Sequence, residues 1–305
     1  MSHWAQIEER GIVWGMRFLL RVYLLFGRRF LQLFLYPVVS YYWLVNSPGR
    51  SASLRYFQQL AQFDSQIKPS LWLTYRHFIS FANAMIDKLA AWSGSLTLDD
   101  VDYSGRTALM EYLDLGQGVL VLGSHLGNLE VCRVIAKLRQ NVRINVLVHT
   151  LHTEKFNALL NEYADSSTLS LIQVTQINAS TAMRLQDKIA AGELVIIAAD
   201  RVPVSANGRI HRVDFLGRQA SFPQGPFILA SLLKCPVFTL FCLKHQNRPK
   251  IYFEHFSDSL AASKNQRQAL IEKSIERFAQ ILQRYCLQAP MQWFNFYDFW
   301  KTPHE

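Results

Sequence analysis

The stretch Gly118–Glu130, with the sequence GVLVLGSHLGNLE, decides how this chain is organised. The apolar residues that follow Gly118, bounded by glycines, predict a buried parallel strand. Gly123 ends this strand, and the apolar periodicity of LEVCRVIAKL, opened by Gly127 or Asn128, predicts a helix. His125 is therefore expected in a strand-to-helix turn at the carboxyl end of a strand, where open α/β sheets bind their ligands.

The spacing of His125 and Glu130 predicts acid–base chemistry. A neutral imidazole accepts protons near pH 7, and it needs a carboxylate to fix its tautomer. The chain contains no G-x-S-x-G motif, so the attacking hydroxyl is expected to belong to a substrate. Backbone N–H groups from Gly123 to Gly127 are candidates to hold an anionic intermediate. Gly123, Ser124, Gly127 and Asn128 are accordingly candidate substrate-binding residues.

The pairing of His125 with Glu130 also has a structural explanation. One His-x4-Glu match arises often by chance, and a histidine at a strand end is commonly part of the packing. The sequence alone leaves both explanations open.

The rest of the chain alternates between strands and helices. Strands are predicted at 145–148, 169–174 and 193–199, with helices at 152–164 and 180–192 between them. This alternation indicates a mostly parallel sheet with helices on both faces. Later strands at 236–244 and 251–256, followed by a helix over 265–285, are expected to add an antiparallel edge. The predicted fold is mixed α/β.

Further polar residues are expected near the carboxyl edge of this sheet. Asp200 and Arg201 follow a buried strand, so Asp200 is a candidate to order the site and Arg201 to contact a phosphate. A local ion pair is the alternative. Gly225 opens a helix whose N-terminus is a candidate part of a substrate pocket. The segment 207–212 is interpreted as an exposed hairpin turn with basic residues for a carrier protein or lipid headgroups.

The N-terminal segment is apolar, aromatic and basic. Arg17, Arg21 and Arg28 share one helix face, which is typical of an amphipathic helix on an anionic membrane. Residues 30–49 carry no charge over about the length that spans a bilayer, although Gln32 and Pro37 interrupt them. We therefore divide the chain into a membrane-associating segment, 1–46, and a catalytic domain, 47–305. A buried domain helix is the alternative.

Composition limits the partners. Half of the 305 residues are hydrophobic, 18% are charged, and the net charge is +9. A positive charge suits phospholipid headgroups or an acidic carrier protein. Nucleic acid is not expected, because no known binding motif or dense Lys/Arg run is present. The four cysteines lack metal-ligand spacing and His149 and His152 are poor ligands, so no metal or cofactor is expected.

Several motifs together resemble the bacterial lipid A biosynthesis (late) acyltransferase family, within the lysophospholipid acyltransferase superfamily. The resemblance begins with His-x4-Glu behind a basic apolar N-terminus and covers nearly the whole chain. It continues in GELVIIAADR (192–201), DFLG (214–217), SFPQGPFILASLLKCPVF (221–238) and QWFNFYDFW (292–300). One segment departs from the family, because 166–174 contains no basic residue where members usually carry an arginine.

The resemblance implies a glycerolipid acyltransferase-like fold with the catalytic pair His125 and Glu130. It implies acyl transfer from an acyl carrier protein, favoured over coenzyme A, to a hydroxyl of a lipid or glycolipid. With such a donor, Arg201 becomes a candidate contact for phosphopantetheine, and the helix N-terminus at Gly225 a candidate acyl or thioester pocket. It also implies the bacterial inner membrane, with the catalytic domain on the cytoplasmic face, and a terminal aromatic segment packed near the site. The departure at 166–174 puts the lipid A acceptor in question more than the chemistry. A thioesterase or lipid hydrolase with the same pair, and a non-enzymatic membrane-binding protein, remain alternatives.

Overall fold

A seven-stranded sheet forms the centre of the computed structural model, which describes residues 10–92, 97–128, 142–148, 169–173, 179–202, 209–246 and 248–301. Its strands are β1 (Asp102–Ser104), β2 (Val119–Gly123), β3 (Ile144–Val148), β4 (Leu169–Gln173), β5 (Leu194–Ala198), β8 (Val237–His245) and β9 (Arg248–Ser257). A separate antiparallel hairpin consists of β6 (Ile210–Phe215) and β7 (Arg218–Pro223).

The sheet is mixed and mostly parallel, as the sequence predicted. The strand order is β1-β9-β8-β2-β5-β3-β4. Neighbouring strands from β8 to β4 run parallel, whereas β9 is antiparallel to β8 and parallel to β1. The predicted antiparallel pairing of the last two strands is confirmed, although the short β1 closes that edge.

β2 lies at the centre of the sheet and is buried along its whole length. Because side chains alternate across a strand, Leu120 and Leu122 enter one apolar cluster and Val119 and Val121 enter the other. A strand buried on both faces explains why its sequence is continuously apolar.

Helices cover the sheet and form a separate antiparallel layer near the N-terminus. They are α1 (Arg10–Val45), α2 (Ser47–Leu60), α3 (Leu71–Trp92), α4 (Arg106–Asp114), α5 (Ala179–Ala190), α6 (Gly225–Leu233) and α7 (Arg267–Gln288). α1 is two helical pieces that meet at Gly27, whose φ of 73° is left-handed, and Pro37 lies within the second piece. The helices predicted after His125 and over 152–164 lie outside the described residues.

Two boundary predictions were wrong. The sequence NSPGRS, at 46–51, predicts a turn or linker, but this segment begins α2: Asn46 caps the helix by accepting from the Gly49 N–H at 3.0 Å, and a proline occupies the first turn. The segment 207–212 was interpreted as a hairpin turn. Residues 207 and 208 lie outside the described residues, but residues 210–212 belong to β6, where Arg212 pairs with Ser221 of β7. The turn of that hairpin lies at Leu216 and Gly217, whose φ angles are 52° and 77°.

Within the described part of the chain, no helix combines the length and the sustained apolar character that a membrane span needs.

Candidate active site

His125 and Asp200 lie side by side at the carboxyl edge of the sheet. They follow β2 and β5, which pair in parallel with Gly123 opposite Ala198. From β2 the chain continues in the sheet to β3, which lies on the β5 side of β2. From β5 it continues to β8, which lies in the opposite direction, beyond β2. The two strand ends therefore flank a topological switch point, the usual position of a ligand site in an open sheet.

Asp200 binds His125 through both carboxylate oxygens. Oδ1 lies 2.8 Å from Nδ1 of the imidazole, and Oδ2 accepts the backbone N–H of His125 at 2.9 Å. An ionised carboxylate can only accept, so Nδ1 carries the proton and Nε2 is left as the basic atom of the neutral ring. The imidazole keeps 34% of its side-chain surface exposed, so a substrate can reach it.

Asp200 itself is completely buried. The indole N–H of Trp293 also points at its Oδ2, at 3.4 Å. Burial raises the pKa of the Asp200 carboxyl, but the His125 charge, the hydrogen bonds from His125 and the nearby Arg201 outweigh burial and lower the pKa. The carboxylate therefore stays ionised at neutral pH, as an orienting group must.

The turn after β2 is held by hydrogen bonds that its backbone N–H groups donate. The N–H of Leu126 donates to Ser124 Oγ at 3.2 Å, that of Gly127 to the Gln292 carbonyl at 2.8 Å, and that of Asn128 to the Cys242 carbonyl at 2.9 Å. These N–H groups, like that of His125, already have acceptors inside the protein. In this conformation the N–H groups of His125, Leu126 and Gly127 are therefore not open to an anionic intermediate, the role that the sequence suggested for N–H groups from Gly123 to Gly127. For Gly123 and Ser124 that role stays a prediction.

Gly127 is required by this geometry. Its φ is +76°, and a Cβ added there would lie 1.9 Å from the Cys242 carbonyl oxygen. Only glycine has no Cβ to place in that space. Asn128 is buried, and its side-chain amide donates to the Ala84 carbonyl in α3 at 3.3 Å.

The C-terminal aromatic segment forms the other side of the turn. Trp293 pairs with Leu126 in an antiparallel bridge, and the Phe294 N–H donates to the His125 carbonyl at 3.3 Å. The side-chain amide of Gln292 bonds both the N–H and the carbonyl of Lys244, each at 2.8 Å, and so ties the segment to the end of β8. The resemblance placed this segment near the site, but the indole contact with Asp200 had no signal in the sequence.

Arg201 is held by the same segment. Its Nε donates to Asn295 Oδ1 at 2.8 Å, its Nη2 donates to the Phe294 carbonyl at 3.0 Å, and its guanidinium lies 5.7 Å from the Tyr297 ring centroid. Two of its nitrogens therefore have protein acceptors. The predicted contact with a phosphate or phosphopantetheine remains a prediction.

The remaining candidate residues are placed differently. Glu130 lies outside the described residues, so its predicted pairing with His125 remains untested. Gly225 is the first residue of α6, and the side chain of the preceding Gln224 donates to the Ile210 carbonyl at 3.0 Å. A pocket at that helix N-terminus stays a prediction. Among the described residues, no cluster of His, Cys, Asp or Glu has the composition of a metal site.

A polar cavity of about 720 Å³ adjoins the turn that holds His125. Gly127, Asn128 and Phe294 are among the residues that line it. Two side-chain pairs contribute to its wall: Gln32 donates to Asn83 at 3.2 Å, and Lys244 Nζ lies 2.9 Å from Asp87 Oδ2. The cavity offers hydrogen-bonding groups close to the candidate base.

Comparison with known proteins gives one family. The model for a family described as bacterial lipid A biosynthesis acyltransferase matches residues 74–302, which include His125, Asp200 and the C-terminal aromatic segment. The match begins within α3, so α1 and α2 precede it. A comparison with curated proteins gives no significant match.

Proposed function

The chain belongs to the bacterial lipid A biosynthesis acyltransferase family, an acyltransferase family that acts on lipids, and we propose that His125 is the general base of its acyl transfer. The contact that carries this proposal is the 2.8 Å bond between Nδ1 of the partly exposed imidazole and the buried Asp200. That bond leaves Nε2 to take a proton from an acceptor hydroxyl.

The reaction is the transfer of a fatty acyl group from a thioester to a lipid or glycolipid hydroxyl. The hydroxyl oxygen attacks the thioester carbonyl carbon while His125 removes its proton. The carbon–sulfur bond then breaks, and the imidazolium returns the proton to the departing thiolate. The products are an ester and a free thiol, and the base is regenerated.

Asp200 is a positioning residue in this scheme. It fixes the tautomer of His125 and stabilises the imidazolium that forms during the reaction. Glu130 is the second carboxylate that the family motif assigns to the base. Since Nδ1 already binds Asp200, the orienting role that the sequence gave to Glu130 is shared with, or taken by, Asp200.

The donor is an acyl carrier protein, with acyl-coenzyme A as the alternative. The support is the net charge of +9, which suits an acidic protein, and the family resemblance. The enzyme works at the cytoplasmic face of the bacterial inner membrane, because a donor made in the cytosol must reach the site. The N-terminal segment attaches the protein to this membrane, in line with the exposed apolar residues of α1.

The direct test is a transfer assay with purified protein, labelled acyl carrier protein thioester and extracted membrane lipid. We expect His125→Ala to lower formation of labelled lipid by about 10²- to 10⁴-fold, the usual contribution of a general base. His245→Ala, at an exposed position where β8 ends, is the matched control and should retain activity.

Three outcomes separate the alternatives. Labelled lipid that depends on His125 supports acyl transfer, and mass spectrometry of lipids from cells with and without the protein then identifies the acceptor. Labelled free fatty acid without a lipid product would establish a hydrolase. A lipid profile unchanged by His125→Ala, in protein that is folded and membrane-bound, would establish a non-enzymatic role.

A further inference from the structure

α1 and α3 form an antiparallel pair whose alignment is fixed by three side-chain hydrogen bonds. Gln32 bonds Asn83 at 3.2 Å, Ser40 bonds Tyr75 at 3.0 Å, and Trp43 bonds Thr74 at 3.0 Å. As residue numbers rise along α1 they fall along α3. The last turn of α1 therefore lies level with the first turn of α3.

Both of these helix ends present large apolar side chains to the outside. On α1, Leu44 is 64% exposed and Val45 is 58% exposed; on α3, Leu71 is 57% exposed and Trp72 is 66% exposed. The Trp72 ring stacks on Tyr75 at a centroid distance of 5.4 Å, and Tyr75 is the residue bonded to Ser40. The Trp72 ring thus packs against Tyr75, while most of its surface remains exposed.

Basic residues flank the exposed pair on α3. Lys68 lies three residues before Leu71, and Arg76 lies four residues after Trp72, one helical turn along the same face. Both residues are exposed. Tryptophan and leucine framed by basic side chains match the surface of an anionic bilayer, where the rings enter the headgroup layer and the cations meet lipid phosphates.

We propose that Lys68, Leu71, Trp72 and Arg76, all outside the N-terminal segment, form a second membrane contact that lies beside the end of α1 and is directed to anionic phospholipid. The inference rests on the membrane attachment in the proposed function and extends it to residues of the catalytic domain. The exposed face of α1 and the start of α3 then meet the bilayer together. Gln32 and Asn83, in the wall of the polar cavity, belong to the same two helices.

The contact can be measured with a fluorescent probe in the full-length protein. Single cysteines introduced by Trp72→Cys, Phe34→Cys and Leu115→Cys are labelled with bimane. Unsubstituted protein corrects for the native thiols, of which Cys235, Cys242 and Cys286 are buried. Vesicles contain phosphatidylglycerol and phosphatidylethanolamine, with or without brominated acyl chains. Leu115, which is 81% exposed at the end of α4, is the matched control.

We expect brominated lipid to quench the probes at 72 and at 34, and to leave the probe at 115 unchanged. Leu71→Ser with Trp72→Ser should weaken vesicle binding on the order of tenfold, as expected for partial burial of two large side chains. Lys68→Gln with Arg76→Gln should weaken it by about tenfold or more on anionic vesicles and little on phosphatidylcholine.

Quenching at 34 without quenching at 72 would overturn the second contact and leave the attachment through α1 intact. A concentration-dependent dimer that protects the probe at 72 without vesicles would overturn it in favour of a second copy of the chain. The same measurements on the His125→Ala variant separate this proposal from the catalytic one, since loss of the base should not alter membrane contact.

Discussion

The turn around His125 buries polar groups, whereas the outer face of α1 exposes apolar side chains. In the turn, the buried carboxylate of Asp200 accepts three hydrogen bonds, and the backbone N–H groups from His125 to Asn128 have partners. On α1, Leu33 is 72% exposed and Tyr41 is 63% exposed. Polar groups are buried where the site needs them fixed, and apolar groups are exposed where a partner is expected to cover them.

This difference predicts which property of the protein a substitution in each region alters. A change in the turn should alter chemistry or folding, because each group there has a fixed partner. A change on the outer face of α1 should leave both intact and alter association only. The predictions below test that division, beginning with the largest expected effect.

Asp200→Asn should reduce turnover by about 10³-fold, roughly 4 kcal/mol in the activation barrier. The amide keeps the shape of the carboxylate but removes the charge that supports the imidazolium. Turnover is measured as labelled lipid formed at saturating donor. Asp298→Asn is the control, because the ion pair of Asp298 with Arg55, at 3.4 Å, is partly exposed to solvent.

Glu130→Gln, measured in the same assay as Asp200→Asn, tests the pairing of His125 with Glu130 that the sequence favoured. If Asp200→Asn retains nearly full turnover while Glu130→Gln abolishes it, Glu130 is the orienting acid and the role of Asp200 is limited to packing.

Gly127→Ala should lower the free energy of unfolding by about 3 kcal/mol, combining left-handed strain with forced displacement of the Cys242 carbonyl. Gly116→Ala is a close control, because Gly116 has nearly the same φ, +73°, and nothing within 4 Å of an added Cβ. It should lose only about 1 kcal/mol. Urea unfolding followed by circular dichroism measures the stability of both variants. Equal losses would show that the close approach to the Cys242 carbonyl adds nothing to the cost of Gly127→Ala.

Buried His77 predicts a pH dependence of stability. Burial lowers the pKa of His77 to about 3, below its ordinary 6.5, and Nδ1 bonds Ser53 at 2.9 Å within an aromatic cluster. The unfolded chain takes up a proton as pH falls below 6.5, whereas the folded protein does not, so stability decreases with falling pH. Between pH 7 and pH 5 this histidine should remove about 2 kcal/mol.

The measurement is urea unfolding of the parent and of His77→Gln at several pH values. The variant should lose less stability between pH 7 and pH 5 than the parent. Parallel curves would mean that His77 becomes protonated without unfolding of its surroundings.

The sequence predicted one half of the candidate site well and the other half poorly. β2, β5 and the position of His125 follow from local rules, since a glycine-bounded apolar run has few alternatives to a buried strand. Asp200 was placed at the correct edge as a candidate ordering carboxylate. Its pairing with His125 across 75 residues depends on strand order, which periodicity does not encode.

The contacts of the terminal segment were beyond prediction for the same reason. Trp293 reaches Asp200 from 93 residues away, and the buried bond of Ser53 to His77 joins two helices. Nothing in the local pattern distinguishes these residues from ordinary core side chains. A hairpin turn was expected at 207–212 because Asn-Gly is a turn signal, but residues 210–212 lie in β6 and the turn between β6 and β7 is at Leu216–Gly217.

The smallest expected effect on stability belongs to the outer face of α1. Leu33→Ser should change the free energy of unfolding by less than about 0.5 kcal/mol, since the side chain has little packing to lose. Leu35→Ser, two residues along the same helix and only 9% exposed, should cost about 3 kcal/mol. Vesicle binding should weaken for Leu33→Ser although its stability in detergent is unchanged. Equal destabilisation by the two variants would mean that this face is already packed in solution, and the contrast with the His125 turn would no longer hold.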